Sequence, residues 1–517
     1  MTAYPPRPAA AIAAFATPPA CAAYFLAIHH SPAYAAGSAV LLTAFYAVCL
    51  RWDRWLRGSL GFRMLMVFSL ALPSLGAWQF LHLKDIGDVD HAAYSCALWN
   101  LARGNWHYQF IGRNMLGIHS QYTAMAWFPV QALGGELGLK IGNGFCLLAA
   151  VALLLRRHRS RRSATAWGAL ALLLAPAFAS QFFFGFHPEM LAAPMLVLAL
   201  DAYRGRRLGT FLVLTLLLAF TKETFTLAIG GILLVALLER RSWIWLLAPG
   251  LLCCAAMAVY WFGVMPRFAQ GGNLLAIFFP SSPAEILGSW GRPQTLRYLL
   301  HVYAPFLPLL LALPWRYALL PLPTMAFYAA FPDPLFVQMW PNYAFPLAIL
   351  CVGGLILEPD VRFEPEPGAD GPRPAAGRAL DFRVLPACAL SALLCYPLWR
   401  EIFSVPMSGP ARNREVTLIR GRIGDGPSVL VYGNLAVRFA GRHEFGLLGL
   451  MPDPGRRYDY LVLDSAFRPP WPVDSKAVDE TFQAASDTTV WEKMHAAEGI
   501  AAFRRLPDPP ADAKEAQ

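Results

Sequence analysis

The stretch LGTFLVLTLLLAFTKETFTLAIGGILLVALL, residues 208–238, decides what kind of protein this is. Two apolar runs, 208–221 and 224–238, meet at Thr221-Lys222-Glu223-Thr224, and basic residues bracket the pair: Arg204, Arg206 and Arg207 before it, Arg240 and Arg241 after it. Apolar runs flanked by arginine on the same side are the pattern left by insertion into a bilayer with cytoplasmic positive charge. Each run has about 14 residues, short of the roughly 20 that a helix needs to cross hydrocarbon. Such a pair must tilt or thin the bilayer, which sets Lys222 and Glu223 at depth. A charge there costs about 2.5–3.5 kcal/mol on insertion scales and is rarely idle.

Working outward, further apolar blocks fall near 9–28, 33–50, 62–82, 137–155, 164–182, 189–203, 243–263, 297–313, 317–331, 341–357 and 384–400, so about 11 to 13 hydrophobic segments are expected. Hydrophobic residues make up 56% of the chain and charged residues 15%, against roughly 25% charged in soluble domains. Disorder, a small disulfide scaffold and a soluble nucleic-acid binder are excluded. The net charge of +10 sits in short clusters between apolar blocks (Arg51–Arg57, Arg156–Arg162, Arg204–Arg207, Arg240–Arg241), where it reads as topology signal. The nine cysteines form no metal-ligand pair at C-x-x-C spacing.

Alternation from a cytoplasmic Arg51–Arg57 returns the chain to the same side at each later basic cluster, at the Trp315-Arg316 turn and at 358–383. The expected fold is mainly α: a polytopic transmembrane helical bundle with a small C-terminal α/β domain outside the membrane. Its parts are N-terminal hydrophobic segments with a basic loop (1–61), a transmembrane core (62–357) with a long outer loop (83–121), a Pro- and acid-rich cytoplasmic linker (358–383), a last span (384–400) and the outer domain (401–517). In the outer domain, Ser428–Tyr432 and Tyr458–Asp464 read as buried strands, Arg414–Arg422 as a helix, and Thr488–Glu492 with Gly499–Arg504 as a terminal hairpin. No G-x-G-x-x-G fingerprint points to a dinucleotide. Glu239 and Asp201, beside cytoplasmic arginines, read as solvated or snorkelling groups.

Four polar constellations fall on the outer side. Asp85-Ile-Gly-Asp88-Val-Asp90-His91 puts three carboxylates in six residues, enough for a general base or for a divalent cation held by Asp88 and Asp90; by spacing alone, a solvated loop whose aspartates cap the helix starting near His91 is the simpler explanation. Gly117-Ile-His119 follows in the same loop. In Phe184-Gly-Phe-His187-Pro188-Glu189 the proline forces His187 out of helical geometry and suits the first helical turn, where Glu189 is favoured by the helix dipole. The fourth is Lys222-Glu223.

Asp90, Leu98-Trp99-Asn100 through Gly104, Gly117-Ile-His119, Phe186-His187-Pro188-Glu189 and Lys222-Glu223 occur in the order seen in the bacterial membrane-protein family known as domain of unknown function 2079. The chain resembles that family over about 62–357, and the family is itself similar to the C-type polytopic glycosyltransferases. Tyr94-Ser95-Cys96 stands where the family usually has Phe-Asp-Gln, and Thr224 where an acidic residue often follows Lys-Glu. The resemblance implies an inverting sugar transfer from a polyprenyl-phosphate donor, in a bacterial inner membrane with the site facing the periplasm. Asp90 would be the catalytic residue, His187 and Lys222 would bind donor phosphate, and Glu189 and Glu223 would orient them. His119, Trp99 and Asn100 would complete the substrate site. Expected partners are the lipid-linked donor and membrane lipids, with no nucleic acid and no nucleotide cofactor. A transporter or lipid flippase is the alternative, since short interrupted helices and intramembrane ion pairs serve transport too; an inert scaffold that binds partners through its outer domain is a third reading.

Overall fold

The computed structural model describes residues 60–81, 88–101, 104, 107–108, 113–157, 162–269, 282–331, 344–358, 361–363, 378–380, 384–393, 410–424, 426–431, 435–440, 445–447, 457–465, 480–481 and 483–507. The segments expected at 9–28 and 33–50 lie outside them. The helices that matter here are α1 (Leu60–Leu81), α2 (Asp88–Leu101), α3 (Phe128–Arg157), α4 (Arg162–Leu174), α5 (Ala192–Arg204), α6 (Leu208–Thr221), α7 (Phe225–Leu238) and α8 (Ile244–Ala258), the last continuing through a π-helical turn, Val259–Val264, to Phe268. After these come α9 (Pro283–Trp290), α10 (Pro293–Tyr303), α11 (Leu307–Ala312), α12 (Leu322–Ala330), α13 (Phe345–Leu357) and α14 (Val384–Leu393).

The bundle is built around α13, in which every residue is buried; a helix apolar all round belongs in the middle of such a fold. It packs on α5, which in turn meets α3 and α6. Peripheral helices show one face to lipid. In α8 only Trp245, Pro249 and Cys253 are buried, while Leu247, Leu251, Val259 and Phe262 are exposed along the other side. Helices in lipid associate by close packing of small residues. Gly231 of α7 shows why: a Cβ there would overlap the Leu320 carbonyl.

Among the described residues four helices are long and apolar enough to cross a bilayer (Gly61–Phe80, Tyr122–Arg156, Ile244–Phe268, Pro293–Ala312), and α6, α7 and α13 are shorter apolar helices. Several expected blocks are therefore interrupted. Block 164–182 stops being one helix at Leu174, before Ala175-Pro176. Block 297–313 stays within the single span Pro293–Ala312 but tightens to a 3-10 turn at Ala304–Phe306, which contains Pro305, whereas block 317–331 divides into the turn Trp315–Leu319 and α12. Proline lacks the amide that would continue the helical ladder, a break that hydropathy does not register.

Glu239 is more than the solvated or snorkelling group expected. It is a half-buried hub that accepts from Tyr203 Oη (3.0 Å) and Tyr317 Oη (3.1 Å) and pairs with Arg241 (3.2 Å) and Arg316 (3.3 Å). The carboxylate thus gathers the last turn of α5 and the turns after α7 and α11 at one end of the bundle, placing Arg316 with Arg241 as alternation requires. Asp201 likewise pairs with Arg207.

The linker carries a three-residue parallel ladder, β3 (Val361–Phe363) with β4 (Arg378–Leu380), and the long loop a two-residue antiparallel pair, β1 (His107–Tyr108) with β2 (Arg113–Asn114). The C-terminal region consists of α15 (Pro410–Ile423), α16 (Ala436–Ala440) and a five-stranded mixed sheet. Its strands are β5 (Val429–Val431), β6 (Phe445–Leu447), β7 (Tyr460–Asp464), β8 (Trp491–Ala497) and β9 (Ile500–Arg505), in the order β6-β5-β7-β9-β8. The terminal hairpin is present with its first strand shifted a few residues later than expected. Buried Asp464 pairs with Arg412, locking α15 on β7. This small domain is fastened to the bundle: α16 packs on α2, and Arg438 lies over the Phe80 ring (4.4 Å) while donating to the Phe80 carbonyl (2.9 Å) at the end of α1.

Candidate functional site

The polar residues gather at the end of α6 and α7 remote from Glu239, about 21 Å away along a helix of 14 residues. Helix α2 begins at Asp88 and presents Asp90 in its first turn. The side chain of Asp90 is 58% exposed, whereas that of His187 is 2% exposed, with 3.7 Å between Oδ2 and Nε2. Asp90 therefore stands at the mouth and His187 behind it.

His187 has the extended backbone that Pro188 demands (φ −133°, ψ 121°), and the next residues form the 3-10 turn Pro188–Leu191 leading into α5. Helix α3 holds this segment from the side. Asn143, with its amide oriented by the hydrogen-bond network, accepts from the His187 amide (3.0 Å) and donates to the His187 carbonyl (3.1 Å). Buried Lys140, one turn earlier, donates to the Phe184 carbonyl, and Trp127 Nε1 donates to the Pro188 carbonyl (3.1 Å). The imidazole is stacked on Phe184 (5.0 Å) and meets Tyr94 edge-on (5.5 Å).

Beyond His187 lies a buried ion pair: Lys222 Nζ donates to Glu189 Oε1 at 2.7 Å, with His187 Nδ1 3.7 Å from the same oxygen. Gln121 Nε2 donates to the other oxygen (3.3 Å) and to Tyr94 Oη (2.9 Å). The adjacent Glu223 turns the other way. Its Oε1 is 2.8 Å from His119 Nδ1, and its Oε2 accepts from the Ser120 amide (3.2 Å). Both glutamates sit in turns outside the helices. Burial alone would push the Glu189 carboxyl up, but the Lys222 ammonium and then His187 more than offset it, leaving it below the ordinary range. For Glu223, burial is outweighed by His119 and, more weakly, by Lys222, which bring the carboxyl down to about 2. The result is a continuous set of charges with two arms, Asp90–His187–Glu189–Lys222 and Glu223–His119, joined at the Lys222-Glu223 peptide.

Among the residues expected in the site, Asp90, His119, His187, Glu189, Lys222 and Glu223 are brought together. Trp99 and Asn100 are not part of this set: they lie about 14–15 Å further along α2 from Asp90, and Asn100 donates to Cys96 Sγ one turn back (3.5 Å). The side chain of Asp88 lies outside the described residues. Among those described, no three His, Cys, Asp or Glu side chains come together to hold a metal ion. His91 is wholly buried between Phe80 (5.4 Å) and Phe186 (5.9 Å). Sequence reading passed over Gln121, Tyr94, Lys140 and Asn143. Lys140 and Asn143 did carry a signal, two polar residues one helical turn apart in the apolar block 137–155.

The fold is that of crystal structures of ArnT from Cupriavidus metallidurans. With undecaprenyl phosphate bound, that protein is 14% identical, with a TM-score of 0.54 over 86% of this chain and 98% of the other. In the apo state the identity is again 14%, with a TM-score of 0.50 over 85% and 98%. At this identity the similarity establishes the fold alone, the architecture shared with ArnT. No relative among curated protein sequences matches the chain. Residues 83–364, more than half of the chain and including every candidate residue above, match the family described as "Predicted membrane protein (DUF2079)", and the chain belongs to that family.

Proposed function

We propose that the protein is an inverting glycosyltransferase of a bacterial inner membrane, using a polyprenyl-phosphate sugar at its periplasmic face. The observation that carries this reading is the alignment of an exposed carboxylate, Asp90, in front of a buried His187–Glu189–Lys222 chain. The acceptor hydroxyl oxygen attacks the anomeric carbon as its proton passes to Asp90. The bond from that carbon to the phosphate oxygen breaks, its electron pair leaving with polyprenyl phosphate. Lys222 and His187 stabilise the phosphate charge, which grows as the bond breaks. Glu189 holds both cations in place, and Glu223 holds His119 on the acceptor side. The undecaprenyl phosphate bound by ArnT supports a lipid phosphate as the donor's carrier. Any further metal requirement would fall on Asp90 and Asp88.

The test uses purified full-length protein in lipid nanodiscs with radiolabelled undecaprenyl-phosphate sugars and scores release of undecaprenyl phosphate. Asp90→Asn is expected to abolish release while the protein remains folded; wild-type turnover in that variant would remove the base. The short helices α6 and α7 around a buried Lys–Glu pair favour transport as the second reading, which predicts movement of intact lipid across vesicles with no release.

A further inference from the structure

The two partners of the 3.7 Å contact at the mouth of the site, Asp90 and His187, are held by different parts of the chain. The His187 segment is fixed within the bundle by Asn143 and Trp127. Asp90 lies in the first turn of α2, and helix ends fray unless something outside the helix holds them. Here the next residue is the hold. His91 is wholly buried between Phe80 (5.4 Å) and Phe186 (5.9 Å), and Phe186 adjoins His187 in the chain.

Phe80 is in turn set by the C-terminal domain. Arg438 fixes its ring and its backbone at once, the guanidinium lying over the ring at 4.4 Å while Nη2 donates to the carbonyl at 2.9 Å. A guanidinium has a flat face for an aromatic ring and several N–H groups at its rim, so one side chain can do both. Arg438 stands on a firm base. Helix α16 has only five residues, but it is buried on two faces. Phe439 and the preceding Leu435 enter the core of the sheet, while Ala436, Val437 and Ala440 share a buried cluster with Ala93 and Ala97 of α2. Small side chains let helix backbones approach closely, and close-packed interiors transmit a displacement instead of absorbing it. A continuous line of contacts therefore runs from the sheet through Arg438, Phe80 and His91 to the turn that carries Asp90. Lys222 is anchored elsewhere: it pairs with Glu189, and Glu189 with Gln121, inside the bundle.

We infer that Arg438 is a positioning residue for the base, through which the C-terminal domain holds Asp90 opposite His187. This rests on the reading of Asp90 as the base of a glycosyl transfer, and it gives the C-terminal domain a part in the reaction that is separate from donor binding. Proton transfer needs the carboxylate within hydrogen-bond reach of the acceptor hydroxyl, and a misplacement of about 1 Å can cost on the order of a hundredfold in rate.

The experiment compares full-length wild type, Arg438→Gln, Arg438→Lys, Phe80→Leu and the Arg438→Gln/Phe80→Leu double variant in nanodiscs, at a temperature where tryptophan fluorescence shows each to be folded. Two quantities are read: the turnover number for release of undecaprenyl phosphate from its sugar conjugate, and the affinity for undecaprenyl phosphate itself. Arg438→Gln and Phe80→Leu are each expected to lower turnover about tenfold to a hundredfold with phosphate affinity unchanged. The double variant should be no slower than the slower single variant, because both break the same line of contacts. Arg438→Lys, which keeps a cation over the ring and a donor for the carbonyl, should retain most of the turnover; together with Phe80→Leu it carries the test if Arg438→Gln does not fold. Wild-type turnover in folded Arg438→Gln or Phe80→Leu would overturn the inference and leave the proposed function standing. A parallel loss of phosphate affinity would show that the contact supports the whole site and not the base, and losses that multiply in the double variant would break the line between Arg438 and Phe80; either would overturn it. Failure of wild type to release undecaprenyl phosphate would remove the proposed function and this inference together.

Discussion

Replacing Lys222 by methionine keeps a long flexible stem and removes only the ammonium that sits 2.7 Å from Glu189. Glu189, 1% exposed, would then keep Gln121 at 3.3 Å and His187 at 3.7 Å. Removing one member of a buried pair costs roughly 3–5 kcal/mol because the other charge is stranded. With a hydrogen-bond donor and an imidazole still facing the carboxylate, the lower end, about 3 kcal/mol, is expected here. Glu189→Gln strands Lys222 and is expected to cost a similar amount. The double variant strands neither charge, so its loss should be about 2 kcal/mol smaller than the sum of the two single losses. The four proteins are compared by tryptophan-fluorescence unfolding in one detergent at one scan rate, which keeps irreversible steps matched. Strict additivity would refute the reasoning, since it would mean that the two charges do not depend on each other.

Two further outcomes follow from the geometry. Because the Glu223 carboxyl is held at about 2, below its ordinary 4.5, its contribution to stability is complete above about pH 4.5 and is lost as the pH falls through that window toward 2. Glu223→Gln should therefore flatten the acid limb of melting temperature against pH there, and a curve parallel to wild type would contradict the His119–Glu223 contact. Arg438→Gln removes both the ring contact and the hydrogen bond to the Phe80 carbonyl; amide hydrogen exchange in α16 and in the first turns of α2 should rise while the core of β7 and β9 stays protected, and uniform exchange across the domain would deny that Arg438 is the fastening.

The legible part of the site was its chemistry. His187-Pro188 announces an extended residue followed by a helical start, a property of the proline ring itself, and the backbone has that form. A Lys222-Glu223 pair between two apolar runs announces charges that need partners. Which partners was not legible. Neighbours in sequence, Lys222 and Glu223 turn to different arms, Lys222 to Glu189 and Glu223 to His119 across a separation of 104 residues. Those choices depend on the crossing and rotation of α3, α5 and α6, which no single run of residues encodes.

The amino-acid sequence by itself determined that the chain is a multi-pass membrane protein and that the carboxylates, histidines and lysine between its apolar runs are the candidates for a site. These follow from composition along one dimension, since burial of apolar runs and retention of arginine act on each segment separately. Tertiary structure alone decided that Glu239 ties three segments together, that Lys140 and Asn143 support the His187 segment, and that α16 of the C-terminal domain packs on the helix of Asp90. Each of these is a contact between distant segments, formed only when close packing of the bundle fixes which faces meet.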